Sequence, residues 1–205
     1  YFYNMKDYIT KFTDQIEEAI NIGNNFDFKE EFKYKNVVIC GLGGSGIGGS
    51  ILKDIVKDEL KIPVELVKGY DIPNYVSTET LVICSSYSGN TEETISAMKK
   101  CHERGAKIFT ISSEGFIEKF SVDNSIPHIK IPSGSPPRAM FAYSFIQLFF
   151  ILYKNRLISD GFLKNLEHTV KNLKKNSESI ISTAKSAADK IHKTTWMGRY
   201  QWWRW

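Results

Sequence analysis

Five short apolar runs, rich in β-branched residues, recur along the first two thirds of the chain. They occupy residues 36–40, 63–68, 80–85, 106–111 and 128–131. Amphipathic stretches separate most of them, at 46–59, 90–103 and 114–120. Strands that are almost wholly apolar and alternate with helices are typical of a parallel sheet covered on both faces. The pattern therefore predicts an α/β fold, a three-layer, doubly wound sheet of five parallel strands.

Helical periodicity dominates the rest of the chain. Apolar residues spaced by three and four predict an amphipathic helix over 5–20 and a second, long one over 163–191. Residues 138–153 form a third helical stretch, apolar almost all round, which predicts burial in the core or against a second subunit. The predicted organisation is an N-terminal helical segment (1–34), an α/β domain (35–155), a long helix or linker (156–194) and a tryptophan-rich tail (195–205).

Two loops follow the first and third predicted strands. Residues 41–50 read GLGGSGIGGS and residues 85–94 read SSYSGNTEET, and each precedes a helical stretch. Such loops offer free backbone N–H groups and the positive end of a helix dipole, which together bind anions. In doubly wound sheets ligands bind at the carboxyl ends of strands, where the strand order reverses. Both loops lie at such ends, so the sequence predicts an anion site between them.

The second loop adds hydroxyl donors at Ser86, Ser88 and Thr91. Capping of the following helix would account for one of them. Three hydroxyls around a glycine exceed what capping needs, and they favour a cradle for phosphate. Since two phosphate-type loops fall within one small domain, the predicted ligand is a small phosphorylated metabolite.

The glycines of the first loop also satisfy the G-x-G-x-x-G pattern of dinucleotide sites. That function needs an acidic residue about 20 positions on, where Lys61 and Ile62 stand. A Walker A loop is excluded because no Gly-Lys-Ser/Thr follows. A nucleotide-dependent oxidoreductase is therefore the weakest of the alternatives, and we expect no cofactor.

Composition limits the remaining classes of function. The 205 residues are 42% hydrophobic and carry a net charge of +4, too little for the basic footprint of a nucleic-acid-binding protein. The three cysteines show no metal-ligand spacing, which favours a reducing, cytoplasmic setting without a metal. We expect no membrane span either, because the most apolar stretch, 139–153, is too short and contains polar residues. The tail at 195–205 is either a sequence artefact, a lone strand, or a surface for membrane or partner binding.

Three motifs in order resemble one family. GLGGSGIGGS, SSYSGNTEET and the later PSGSPPRAMFAYSF are similar to the sugar isomerase (SIS) domain, and more narrowly to the first half of bifunctional phosphoglucose/phosphomannose isomerases. The likeness covers roughly residues 35–155. It implies a flavodoxin-like strand order and a homodimer of chains with two SIS domains. The implied reaction converts glucose 6-phosphate or mannose 6-phosphate to fructose 6-phosphate, without metal or nucleotide.

The resemblance also implies roles for individual residues. Gly44 and Ser45 would line the sugar side of the site, and Ser86, Ser88 and Thr91 would hold the phosphate. Arg138 would approach the sugar near C1 and C2, where a guanidinium stabilises an enediolate.

The chain departs from the family at the catalytic base. In the family that glutamate follows an asparagine in the second SIS domain, and no Asn-Glu pair occurs in these 205 residues. None of the four histidines matches the family's ring-opening histidine: His102, His128, His168 and His192. The expected function is therefore the phosphosugar-binding half of an aldose–ketose isomerase. The alternative is a regulatory SIS module that binds phosphosugars without catalysis.

Overall fold

The computed structural model describes residues 5–28 and 32–201, with side chains described up to residue 192. Its sheet has five strands: β1 (Asn36–Cys40), β2 (Val64–Val67), β3 (Thr80–Ser85), β4 (Lys107–Ser112) and β5 (His128–Lys130). Their order is β2-β1-β3-β4-β5, and every neighbouring pair is parallel. The predicted doubly wound sheet with flavodoxin-like order is confirmed.

Seven helices accompany the strands in the described part of the chain. They are α1 (Met5–Thr10), α2 (Phe12–Asn25), α3 (Gly43–Val56), α4 (Glu92–Glu103), α5 (Gly115–Asp123), α6 (Phe141–Lys154) and α7 (Gly161–Gln201). A 3-10 turn, Pro137–Ala139, precedes α6. None of the helices, over the part of the chain that the structure describes, is long and apolar enough to cross a membrane.

Helices cover the sheet on both faces because successive side chains of a strand point to opposite sides. On one face, Val38, Val82 and Ile108 pack with residues of α4 and α5 such as Met98 and Ile117. On the other face, Phe109 contacts the rings of Phe26 and Phe28 edge-on, and Gly49 brings α3 against Ile39. The aromatic helix α6 lies beside α2 and α3, and most of its residues are buried within this domain.

The chain divides into two compact units, Tyr1–Lys164 and Asn165–Trp205. The first unit contains the sheet, and the second is the greater part of α7. The backbone of α7 includes residues 195–201, while residues 202–205 of the predicted tail lie outside the described residues. The predicted domain limits stay a prediction.

Three boundaries differ from the sequence pattern. The opening helix is interrupted at Lys11, so that α1 and α2 are separate. Helix α3 begins at Gly43 instead of residue 46, which places Gly44 and Ser45 in its first turn. Arg138 lies in the 3-10 turn and not in α6, because Pro136 and Pro137 hold the backbone before the helix begins.

Candidate functional site

The two predicted loops meet at the point where the strand order reverses. Cys40 of β1 and Cys84 of β3 are aligned partners, with β2 on one side of the pair and β4 on the other. A Cβ atom added at Gly41 would lie 3.0 Å from the carbonyl oxygen of Ser85. The loops therefore lie side by side at the crevice where ligands bind in this class of sheet.

The first loop presents open backbone at the start of α3. A Cβ atom at Gly43 or Gly44 would meet no atom within 4 Å, and Gly43 has a φ of +59°. Leu42 stands at the N-cap and supplies no capping hydrogen bond. The first N–H groups of a helix have no partner within the helix, so this turn offers donors and a positive dipole end to a ligand. Ser45 is half-buried beside them.

Lys68 brings a positive charge to the same loop. Its ammonium donates to the hydroxyl of Ser50 at 3.3 Å, and its Cε atom lies 3.6 Å from a Cβ built at Gly46. Lys68 follows the last residue of β2, which runs beside β1. The position of Lys68 could not be predicted from the sequence, because only the strand pairing brings it next to the glycine loop.

The three hydroxyls of the second loop differ in their exposure. Ser86 is buried, Thr91 is half-buried and Ser88 is exposed. The oxygens of Ser86 and Thr91 are 2.8 Å apart. Thr91 stands at the N-cap of α4 without making a capping hydrogen bond, so capping does not account for its hydroxyl.

The burial of Ser86 decides the direction of that hydrogen bond. If Thr91 were the donor, the proton of the buried Ser86 hydroxyl would need another acceptor, and burying an unpaired hydroxyl costs roughly 1–3 kcal/mol. With Ser86 as the donor, the Thr91 hydroxyl proton points away and is free to donate to a ligand. The oxygen of Ser88 accepts a hydrogen bond from the N–H of Asn90 at 3.3 Å, which likewise leaves the Ser88 hydroxyl proton to donate.

A third loop, between β4 and α5, locks the second one in place. The side-chain oxygen of Asn90 accepts a hydrogen bond from the N–H of Phe116 at 2.9 Å, and the N–H of Ile117 donates to the carbonyl of Gly89 at 3.0 Å. A Cβ atom at Gly89 would lie 1.7 Å from the carbonyl oxygen of Glu114. Asn90 thus caps α5 from a loop 26 residues earlier in the chain.

Arg138 stands on the turn that follows β5. Its side chain is exposed, and within residues 5–28 and 32–192 it makes no hydrogen bond or ion pair. Three residues earlier, the N–H of Ser135 donates to the hydroxyl oxygen of Tyr87 at 3.1 Å. This bond ties the turn to the second loop, so the structure brings the segment of Arg138 to the hydroxyl cluster.

The thiols and the half-buried His128 have structural roles. Cys40, Cys84 and Cys101 are buried free thiols in the core beneath the loops. The hydrogen bond to Cys40, and then burial, raise the pKa of Cys101 far above its usual value, so this thiol is no nucleophile. Burial lowers the pKa of His128, whose Nδ1 lies 2.9 Å from the Thr110 hydroxyl. Among the described residues no group of three His, Cys, Asp or Glu side chains is placed to hold a metal.

The segment that carries both loops is similar to a known domain. A family model for the SIS domain matches residues 32–126, which contain both loops. This segment is similar to the SIS domain. The match explains why the open α3 turn and the hydroxyl loop occur together, and it confirms the resemblance drawn from the motifs.

Proteins similar to this chain in sequence are named as isomerases. The chain is 45% identical over 159 residues to the bifunctional phosphoglucose/phosphomannose isomerase of Caldicellulosiruptor bescii. The aligned region covers 77% of this chain and 47% of that protein. The chain is 41% identical over 135 residues to the enzyme of the same name from Thermoplasma volcanium, covering 64% of this chain and 42% of that protein. The chain therefore spans about half the length of these relatives.

A solved structure shares the fold. A candidate phosphosugar isomerase of Clostridium difficile 630 superposes with a TM-score of 0.70 at 19% identity, over 92% of this chain and 57% of that one. The chain thus shares the α/β fold of this structure, and it is similar in sequence to proteins named phosphoglucose/phosphomannose isomerase.

Proposed function

We propose that this chain is the phosphosugar-binding half of a phosphoglucose/phosphomannose isomerase. The observation that carries the proposal is the meeting of two donor loops at one crevice, the open first turn of α3 and the outward hydroxyls of Ser88 and Thr91. A phosphate has several oxygens and accepts hydrogen bonds on different sides, so it fits between two such loops. The similarity to two named isomerases supports the same substrate class.

The proposed roles follow the position of each group. Thr91 and Ser88 donate to the phosphate, and the buried Ser86 orients Thr91 through their hydrogen bond. The backbone at Gly44 and the side chain of Ser45 line the sugar side on the first turn of α3. Arg138 stabilises the negative charge that develops when a proton leaves C2 on its way to C1, because a guanidinium is always charged and offers several donors.

A general base must move that proton, and a carboxylate with a pKa suited to the task is the expected group. In the family the base follows an asparagine, and this sequence has no Asn-Glu pair. We therefore expect the chain alone to bind glucose 6-phosphate and mannose 6-phosphate but to isomerise them poorly or not at all. Turnover to fructose 6-phosphate, in a coupled assay, at a rate near that of a full-length relative would contradict this expectation.

A phosphosugar-sensing module is the second candidate, favoured by the exposed position of Arg138 without a partner in the described part of the chain. The two are separated by Arg138→Ala, titrated with a phosphorylated sugar hydroxamate whose planar oxygens imitate an enediolate. For the isomerase we expect the alanine variant to bind this mimic about tenfold or more weakly, because a hydrogen bond to a charged group contributes about 1.5–3 kcal/mol. Equal affinity of both proteins for the mimic would favour the sensor.

We also propose that two copies of the chain associate through an exposed apolar ridge on α3. Ile47, Ile51 and Ile55 recur every four residues and are 55%, 38% and 57% exposed. Such i, i+4 rows on two helices interdigitate in a symmetric crossing. The half-buried rings of Phe141 and Phe145 extend this surface beside Gly48. We place the chain in the cytoplasm, where its three free thiols stay reduced.

Ile55→Glu tests the ridge at its end away from the loops. We expect the wild type to sediment as a dimer and the variant as a monomer, since a buried unpaired carboxylate opposes association. Lys53→Gln, an exposed change on the same helix but off the ridge, serves as the control and should leave the dimer intact. A wild-type monomer at about 100 μM, a concentration well above the micromolar dissociation constants of ordinary interfaces, would contradict the proposal.

A further inference from the structure

Tyr87 lies between three segments of the site and contacts each of them. It belongs to the hydroxyl loop, between Ser86 and Ser88, and is half-buried. Its carbonyl oxygen accepts two hydrogen bonds from Ser113, from the N–H at 3.0 Å and from the hydroxyl at 2.7 Å. Its phenol oxygen accepts the hydrogen bond from the N–H of Ser135. The backbone of Tyr87 is thus fixed to the end of β4, while its ring reaches the turn that carries Arg138.

The turn has few backbone donors with which to fix its position, although its 3-10 segment also contacts α1. Residues 132–138 include three prolines, which have no backbone N–H, so only four of its seven residues have a backbone donor. After Ser135, the N–H groups of Ala139 and Met140 bond back to Pro136 and Pro137 and so stay within the turn. The hydrogen bond from Ser135 to Tyr87 therefore joins the turn to a part of the site on which the phosphate is proposed to lie.

We propose that Tyr87 is a positioning residue that holds the Arg138 turn at a set distance from the phosphate loop. This inference rests on the proposed function. A ligand that contacts both the phosphate loop and Arg138 needs these two at a fixed distance from each other. The hydrogen bond of the Tyr87 phenol to Ser135 fixes that distance. A ligand that contacts only the phosphate loop does not need it.

Tyr87→Phe removes the acceptor oxygen and keeps the ring that packs in the loop. The variant is expected to bind inorganic phosphate within about twofold of the wild type, because the hydroxyl loop is intact. Its affinity for the phosphorylated sugar hydroxamate is expected to fall about threefold to tenfold, within the range for the net loss of one hydrogen bond. Ser113→Ala is the matched control, since it removes a different hydrogen bond to Tyr87 and leaves the phenol in place; its affinity for the hydroxamate should not change.

The double variant Tyr87→Phe/Arg138→Ala separates positioning from a general weakening of the site. If Tyr87 acts through Arg138, the double variant binds the hydroxamate no more weakly than Arg138→Ala does, because residues that act as one unit are not additive. Additive losses, or an unchanged affinity in Tyr87→Phe, would overturn the positioning role. If Arg138→Ala itself binds the hydroxamate as the wild type does, the isomerase assignment fails instead, so the two failures are distinguishable.

Discussion

Replacing Gly89 by alanine is expected to lower the free energy of unfolding by roughly 2–5 kcal/mol, the sum of a left-handed backbone penalty and an overpacking penalty. Gly89 has a φ of +66°, a conformation that costs an L-residue about 1–2 kcal/mol. Its added Cβ atom would lie 1.7 Å from the carbonyl oxygen of Glu114. This oxygen is a backbone atom and cannot rotate away as a side chain could. The chain must therefore open the contact between the hydroxyl loop and the start of α5.

Gly134→Ala separates the two causes. Gly134 has a φ of +83°, but a Cβ atom there would meet nothing within 4 Å. This control is expected to lose only about 1–2 kcal/mol, the backbone penalty alone. Urea denaturation of the wild type and both variants measures the two losses in free energy of unfolding. Each loss is the shift of the transition midpoint multiplied by a common m-value. Equal losses in the two variants would show that the interlock of Gly89 with Glu114 does not hold the loop.

The central strands β1, β3 and β4 were predictable because they are buried on both faces along nearly their whole length, which requires mostly apolar residues. β3, for example, is buried at every position, and its run Thr80–Ser85 stands out in the sequence between polar segments. The position of the two loops followed from the same pattern, since a loop after a buried strand in this fold lies at the ligand-binding edge. The local sequence was sufficient to predict an element wherever burial alone determines its residue types.

The start of α3 could not be predicted because its first turn consists of glycine and serine, which are poor helix formers. A glycine in a helix interior costs about 1 kcal/mol relative to alanine, so the segment resembles a loop. In the structure a Cβ atom at Gly49 would lie 3.0 Å from both Ile39 and Leu66. These glycines allow α3 to lie close on the sheet, and that packing outweighs their low helix propensity.

The residues that fix the site loops in position could not be predicted, because their hydrogen bonds join segments that are distant in sequence. Asn90 caps α5, Tyr87 accepts from Ser135, and Lys68 reaches the first loop from β2, each across 18 residues or more. In the sequence Asn90 and Tyr87 are simply members of a hydroxyl-rich loop, and Lys68 is one of many scattered lysines. The predicted contacts of Gly44, Ser45, Ser88, Thr91 and Arg138 with a phosphosugar stay predictions, although the structure places their segments around one crevice. So does that of Ser86, for which we propose an indirect role through Thr91.

Replacing Thr91 by valine is expected to weaken the binding of glucose 6-phosphate by about tenfold or more. Valine has the shape of threonine but no hydroxyl, and a hydrogen bond to a charged phosphate contributes about 1.5–3 kcal/mol. The change also removes the acceptor of the buried Ser86 hydroxyl, which should lower the free energy of unfolding by roughly 1–3 kcal/mol. Thr91→Ser keeps the hydroxyl and is expected to retain most of the affinity and stability.

The two loops at the junction of β1 and β3 are proposed to hold the phosphate of a sugar phosphate. The direct test is a titration of glucose 6-phosphate into the wild type, Thr91→Val and Thr91→Ser, followed at the backbone amides by NMR, with unphosphorylated glucose as the control ligand. We expect saturable shifts at the amides of residues 43–45 and 86–92, shared by wild type and Thr91→Ser, weakened in Thr91→Val and absent with glucose. Saturable binding of glucose 6-phosphate that leaves these two sets of amides unshifted, or that is equally tight in Thr91→Val, would contradict the claim.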